Sequence, residues 1–528
     1  MRFFNTAGPI KPAKHYALPP LSRFDLTEIL MLVEQEKYFV LHAPRQTGKT
    51  SCLLALMDYL NQQGKYHCVY VNAEIAQIAP EDVRRNIRTL MDEIVANARD
   101  YLRDGYPESI AAELLRHYGE ERVLGELLSR WAAHSPQPLV LLIDEIDALK
   151  GDTLISILRQ LRTGHAKRPR QFPQSVMLCG VRDVRHYRIH SDREKGFITG
   201  GSVFNFKSES LRLEDFSSDE VTALYRQHTE ATGQDFSSDA LVRVLELTCG
   251  QPWLVNALGY AMCFATKSGR DRQRAITTES VEAARKDLLQ GRRKPHFDHL
   301  ADKLWRDEIR RVLEPLLTGE DLAMSFRADE IAGARDLGLI QQSLDGSIEI
   351  ANPMYQELIF RWLCWSLQSG MSHRLETYLQ PDGHLDVPTL LDDFQAFFRE
   401  YSENWIAGIR YQAAGPLVML QAFLRRVVDI DGRIEQECGL GRQCADMLLL
   451  WPRSDGYQRV VIEARLLRGS LERTLAAGLE HTCAHLDHCK AELGYLVIFD
   501  RVPGKPWEER LFRREIAVRG RTVAVWGM

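Results

Sequence analysis

Ala43-Pro44-Arg45-Gln46-Thr47-Gly48-Lys49-Thr50 decides the fold. It follows the short apolar, β-rich run Tyr38-Phe39-Val40-Leu41-His42 and opens a helix over Ser51 to Leu60. Strand, glycine-containing loop and helix in that order are the setting of a phosphate-binding loop. Backbone N–H groups of such a loop and of the helix N-terminus cradle phosphates, Lys49 neutralises β/γ charge, and the Thr50 hydroxyl ligates Mg2+. Ala43 stands where the usual pattern has its first glycine.

A second motif completes the first. Leu139-Val140-Leu141-Leu142-Ile143 is an apolar strand that ends in Asp144-Glu145. Asp144 is placed to hold the metal, commonly through water, and Glu145 to polarise an attacking water. A bare buried strand with a capping Asp is the bland alternative, and the order of the two motifs favours ATP binding with Mg2+. Ser175-Val176-Met177-Leu178-Cys179-Gly180 is a further strand, followed by Val181-Arg182. Arg182 there is either a γ-phosphate sensor or an ordinary solvated cation. Gly250-Gln251-Pro252 opens a later helix, where Pro252 is suited to press on a nucleotide base or simply to start the helix.

Around these motifs, strands at 38–43, 67–71, 138–143 and 175–179 alternate with amphipathic helices, which predicts a parallel sheet covered on both faces. Residues 9–20 hold four prolines and read as an extended arm. From 213 to 290 the pattern turns helical, with starts at Ser217-Ser218-Asp219-Glu220 and Ser237-Ser238-Asp239. Two amphipathic helices between 305 and 365 precede Leu339 to Gln342, a turn at Leu344-Asp345-Gly346, and Ser347 to Ile350. That hairpin after helices predicts a winged-helix unit.

The 528 residues, 45% hydrophobic and 26% charged, exclude a disordered or fibrous chain and predict several domains. A net charge of −5 excludes a polycationic coat protein. Ten dispersed cysteines fit reduced thiols better than a disulfide framework. With no apolar run near the ~20 residues that span a bilayer, the expectation is a soluble, cytoplasmic protein without a membrane partner.

The phosphate loop, LLIDEID (139–147), the Val-Arg-Asp after a strand (181–183), Gly-Gln-Pro-Trp (250–253) and ANPMYQELI (351–359) together resemble the AAA+ ATPases of the archaeal-ATPase and signal-transducing type. The resemblance spans roughly residues 1–365. It implies an AAA+ P-loop ATPase core over 1–212, a helical lid over 213–290 and a winged helix over 291–365. Lys49, Thr50, Asp144, Glu145, Arg182 and Pro252 are the positions carried over. Members of that group often act as nucleotide-gated switches, and a homo-oligomer is among the arrangements the resemblance allows.

Residues 366–415 read as a helical, polar connector, and a separate α/β domain follows over 416–528. Asp446 heads the strand Met447 to Leu450, and Glu463 lies inside the otherwise apolar Val460-Val461-Ile462-Glu463-Ala464. A buried carboxylate is costly unless paired, hydrogen-bonded or on a metal. A turn at Arg453-Ser454-Asp455-Gly456 sets Asp446 and Glu463 side by side, a pair suited to Mg2+ or Mn2+ and phosphodiester chemistry. The helix–strands–helix–strand order resembles the PD-(D/E)XK, or restriction-endonuclease-like, superfamily. Arg465 occupies the place of its usual Lys, and Gln421 is the polar residue offered by the preceding helix.

Two functions stay open: an ATP-regulated, metal-dependent nuclease using Asp446, Glu463 and Arg465 on DNA or RNA, and an ATP-driven switch whose nuclease-like domain only binds nucleic acid or a protein. His481, Cys483, His485 and Cys489 raise a zinc reading, although small residues packing in a helix account for them better. Arg510, Arg513, Arg514, Arg519 and Arg521 form a basic tail that suits phosphate contacts weakly.

Overall fold

The computed structural model describes residues 1–78, 82–119, 122–182, 188–191, 196–199, 209–290, 295–304, 306–316, 328–343, 347–368, 375–406, 415–428, 432–436, 445–453, 456–467, 469–500, 502 and 505–528. The chain divides into two units, residues 1–292 with 335–338, and residues 293–334 with 339–528.

In the first unit five parallel strands, β1 (Tyr38–His42), β2 (His67–Asn72), β3 (Leu139–Asp144), β4 (Ser175–Gly180) and β5 (Glu209–Arg212), form a sheet of order β2-β3-β4-β1-β5. β1 to β4 are apolar on both faces because both faces are covered, whereas the edge strand β5 is polar and partly exposed. Tyr38, Val40, Leu139, Leu141, Val176 and Leu178 point to one core, and Phe39, Leu41, Val140, Leu142, Met177 and Cys179 to the other. Helices α1 (Leu26–Glu34) and α2 (Lys49–Gln62) fill the second core. The first receives α3 (Val83–Leu102), α5 (Val123–His134) and α6 (Gly151–Gly164), and α4 (Tyr106–His117) packs at its edge. Each fully buried aliphatic or aromatic side chain there contributes about 1.5–3 kcal/mol. The fold is that of the α/β P-loop nucleotide hydrolases, as the alternating pattern predicts.

Four helices follow: α7 (Ser218–Thr232), α8 (Ser238–Thr248), α9 (Pro252–Tyr260) and α10 (Thr278–Gln290). Ser217 and Glu220 close a reciprocal capping box on α7, and Ser237 caps α8, so both expected helix starts are present. The proline-rich arm is not extended throughout: it turns over Lys11 to His15, enters a 3-10 helix at Pro20, and lies against these helices. Phe4 packs in a ring cluster with Tyr16, Tyr225 and His228, Ala17 exchanges both backbone hydrogen bonds with the Gln227 amide, and the Trp253 indole donates to Thr6 O at 3.0 Å.

The second unit begins with α11 (Pro295–Leu304), α12 (Asp307–Leu316) and α13 (Ala328–Asp336). β6 (Ile340–Gln342) and β7 (Ile348–Ile350) then pair antiparallel, with Ile340 opposite Ile350. This is the expected hairpin, and its Leu344-Asp345-Gly346 turn lies outside the described residues. After α14 (Pro353–Gln368) comes α15 (Val387–Ile406), within the segment expected to be a polar connector. That segment is built into the unit instead: Leu390, Leu391, Phe394, Phe397 and Phe398 are buried. Asp392 accepts from the Trp526 indole at 2.7 Å, and the Gln395 amide donates to Gly527 O at 2.7 Å.

The C-terminal sheet combines β8 (Arg433–Gln436), β9 (Ala445–Arg453), β10 (Gly456–Leu466), β11 (Leu493–Phe499), β12 (Phe512–Val518) and β13 (Arg521–Gly527) in the order β8-β9-β10-β11-β13-β12. β8, β9 and β10 run antiparallel; β10, β11 and β13 run parallel; β12 returns antiparallel on β13. Helix α16 (Gly415–Val428) precedes the sheet, and α17 (Leu471–His488) crosses from β10 to β11, burying Leu479, Cys483 and Leu486 against Leu448, Val461 and Leu496. β12 and β13 hold arginines of the basic tail. They form a hairpin because Arg519 and Gly520, both at positive φ, make the two-residue turn whose twist matches the strands.

Candidate nucleotide site and a C-terminal carboxylate

The first site lies at the carboxyl ends of β1, β3 and β4, the edge at which open α/β sheets bind ligands. β4 sits between β1 and β3 and brings its end to the loop, where Ala43 N–H donates to Gly180 O at 3.2 Å. Residues 43–48 then turn into α2. Gly48 adopts φ +98°, a left-handed conformation that costs glycine little, and so leads the loop into the helix as its N-cap.

Lys49 is only 5% exposed, and its ammonium donates to Ala43 O at 2.9 Å and Pro44 O at 3.0 Å. Thr50 Oγ1 donates to Asp144 Oδ2 at 2.7 Å, which joins the two motifs directly. Asp144 is fully buried and also accepts from the Tyr70 hydroxyl at 3.2 Å and from Glu145 N–H at 2.9 Å. Glu145 has a left-handed backbone, φ +52°, with Arg45 Nη2 4.0 Å from its Oε2. Burial pushes the Glu145 carboxyl above the usual range, Lys49 partly offsets that, and Asp144 adds to the rise. Of the expected loop residues, Pro44 and Thr47 also bond to each other across the turn, Thr47 Oγ1 to Pro44 O at 2.9 Å, while Gln46 takes φ +61°.

A hydroxyl and a carboxylate oxygen 2.7 Å apart, with a second carboxylate next in the chain, fit Mg2+. That ion takes one or two protein oxygens and fills its octahedron with phosphate and water. Thr50 and Asp144 are the residues to hold it.

Arg182 is two residues beyond the end of β4, half-buried, and its charge reaches Asp147. Pro252 is buried at the first turn of α9, where the Gln251 side chain accepts from Leu254 N–H. A link from the helical segment to the loop runs through a residue the sequence reading passed over. Arg23, its side chain 6% exposed, donates to Thr47 O at 3.5 Å and to Glu214 O, stands 3.5 Å from Glu220 of α7, and lies 4.3 Å over the Phe216 ring. No motif marks it, being 26 residues ahead of Lys49 and brought in by the arm. Asp147 was also missed: its carboxylate accepts from Val181 N–H, and a Cβ on Gly180 would come within 2.6 Å of it. Asp147 thereby ties the end of β3 to the end of β4.

Arg23→Ala removes a buried cation–π contact and a charge-assisted bond, so it is expected to cost about 2–3 kcal/mol of stability. Urea unfolding followed by tryptophan fluorescence reads this, and a loss under 0.5 kcal/mol would show that the link contributes nothing.

In the C-terminal sheet Asp446 stands opposite Glu463 in register, as the turn predicts; for Asp446 the description is of its backbone alone. Glu463 is fully buried. Arg465 Nε donates to Glu463 Oε1 at 2.6 Å, and His485 Nδ1 is 3.9 Å from Oε2. His485 thus faces a carboxylate rather than a zinc set. Among the described residues, no group of three or more His, Cys, Asp or Glu could hold a metal; Cys438 and Cys444 lie outside them. Three of the tail arginines are paired internally: Arg513 with Asp392, Arg519 with Glu480 and Arg521 with Asp487. Among the described residues no helix is long and apolar enough to cross a membrane.

Residues 33–187 match the family model described as an AAA domain. The matched segment holds both the phosphate loop and the acidic strand and is similar to AAA domains, for which ATP is the implied nucleotide. Among solved structures it is similar to a Walker-type ATPase of Pyrococcus abyssi, at 12% identity and TM-score 0.47 over 67% of this chain and 99% of that one. It is also similar to Cdc6p from Pyrobaculum aerophilum (14%, 0.38, over 69% and 98%) and to the Thermotoga maritima RuvB Holliday junction branch migration motor (12%, 0.31, over 63% and 93%). No curated protein matches the sequence.

Proposed function

We propose that the protein is an ATP-binding and hydrolysing switch whose nucleotide state governs a C-terminal domain of PD-(D/E)XK type that engages nucleic acid. The observation that carries the ATP half is the 2.7 Å bond from Thr50 to Asp144, which unites loop and acidic strand at one part-buried point. In this reading Lys49 and the 43–48 backbone hold the phosphates, Thr50 and Asp144 hold Mg2+, and Glu145 orients the attacking water. Arg182 senses the γ-phosphate within its own chain, since β4 is hydrogen-bonded to the loop's start. The helices over 213–290, with Pro252, serve as the lid, and those over 291–365 with their hairpin as the winged helix.

The C-terminal half of the reading is supported by the succession α16, β8, β9, β10, α17, β11 and by the Asp446–Glu463 register. Between cutting and binding, the Glu463–Arg465 ion pair favours binding, because it engages the carboxylate that a nuclease would offer to Mg2+ or Mn2+. The test is fluorescence anisotropy on single- and double-stranded DNA and on RNA, with ATP, ADP or no nucleotide, beside a cleavage assay with Mg2+ or Mn2+. Binding that changes at least about tenfold between ATP and ADP states, a coupling near 1.4 kcal/mol, without cleavage, is the expected result. Cleavage lost in Glu463→Ala would make the domain a nuclease, and no binding in any state would turn the search to a protein partner.

A further inference from the structure

We propose that the Arg465 guanidinium takes the place of a divalent cation at Glu463, so that the carboxylate on β10 is neutralised from within and binds no resident metal. This rests on the PD-(D/E)XK reading only in that such a domain implies a metal; the geometry of the pair stands without it.

Glu463 is fully buried between Ile462 and Ala464, both also buried, and an ionised carboxylate in such a strand requires a counter-charge. Arg465 supplies one from two residues on, the same face of the same strand. Its side chain is 13% exposed, and its Nε, close to the stem, bonds to Oε1 at 2.6 Å. A lysine carries its charge as a point at the tip of a flexible chain and is able to turn toward a phosphate or water. The planar guanidinium, bonded through Nε, is held against its own strand.

Helix α17 packs over the pair: a Cβ at Gly478 would lie 3.4 Å from Arg465 Cδ, an ordinary contact, whereas its 2.7 Å approach to Leu496 Cδ2 is what requires the glycine. His485 approaches Glu463 Oε2 at 3.9 Å, and burial, then Arg465 and His485, push His481 toward its neutral form. A divalent ion at Glu463 would share the carboxylate with a guanidinium already within hydrogen-bond distance, and like charges that close repel strongly in a buried site. The described residues around Glu463 do not fit the metal.

The experiment uses the full chain without nucleotide. Free Mn2+ is followed by its electron paramagnetic resonance signal, and the unfolding midpoint is measured with Mg2+ and with EDTA. Wild type and Glu463→Gln are expected to take up Mn2+ equally, and the wild-type midpoint to be the same in EDTA as in Mg2+. Arg465→Lys, with its fold checked by circular dichroism, is expected to bind Mn2+ at least tenfold more tightly than wild type, a gain lost in the Arg465→Lys, Glu463→Gln double variant. Uptake by wild type that disappears in Glu463→Gln, a midpoint lowered by EDTA, or a folded Arg465→Lys protein with no gain would each overturn the proposal. Nucleic-acid binding is read separately, so its absence would overturn the functional reading and leave the metal result standing.

Discussion

Lys49→Ala is expected to weaken ATP binding by roughly 30- to 1,000-fold, about 2–4 kcal/mol, the range for removing one partner of a buried charge pair. The ammonium is 5% exposed and held between the carbonyls of Ala43 and Pro44, whose dipoles solvate it without neutralising it. A polyphosphate at the start of α2 supplies that neutralisation. Without Lys49 the phosphates meet backbone N–H groups and the helix dipole, and the dipole is worth only about 0.3–1 kcal/mol. The variant removes a buried cation and its desolvation cost together, so its unfolding free energy should stay within about 1 kcal/mol of wild type. Loss of binding is thereby separable from loss of fold. Calorimetric titration should show ATP and ADP weakened and adenosine unaffected; unchanged ATP affinity would place the phosphates elsewhere.

The nucleotide half was legible because its strands are short, apolar on both faces and followed at once by chemistry: a loop after β1, two carboxylates after β3, Val181-Arg182 after β4. Strand order was not legible, since the placement of β4 between β3 and β1 is a long-range pairing with no local signal. The Asp446–Glu463 register followed from counting back from the Arg453–Gly456 turn, and the strands pair as that count requires. That Arg465 turns onto Glu463 is a side-chain pairing that no sequence pattern marks, and only packing reveals it. In α15 the stripe Leu390, Phe394, Phe397, Phe398 was present at helical spacing. Asp392, Asp393 and Glu400 masked it, although Asp392 is itself bonded to Trp526 and Arg513. The last hairpin was hidden for a related reason: Arg513, Arg514 and Glu515 in β12 are exposed, so the edge strand reads as polar.

Glu145→Gln is expected to lower ATP turnover by about 10²- to 10⁴-fold, the usual contribution of a positioned general base, while ATP affinity stays within a few-fold of wild type. Gln keeps the size and one hydrogen-bonding oxygen but loses the charge and the capacity to take a proton. The left-handed backbone at Glu145, anchored by its N–H on Asp144 Oδ1 at 2.9 Å, fixes where the side chain starts. The sign of the pH dependence follows from burial, which raises the carboxyl above its usual value, with Lys49 opposing and Asp144 assisting. The base is the ionised form, so turnover is full above the raised value and falls as pH drops through it, on an acid limb lying above that of an ordinary glutamate, about 4.3. The same shift sets the effect on stability. The fold disfavours the charged form, so at neutral pH the neutral glutamine removes a penalty and the variant should unfold no more easily than wild type. Single-turnover kinetics with ATP across pH 4.5–8 separates the alternatives. A variant that binds ATP and retains it identifies Glu145 as the base, whereas wild-type turnover in Glu145→Gln, with the acid limb in place, would move that role to another carboxylate, with Asp147 the first to examine because its burial also raises it and it already bonds the end of β4.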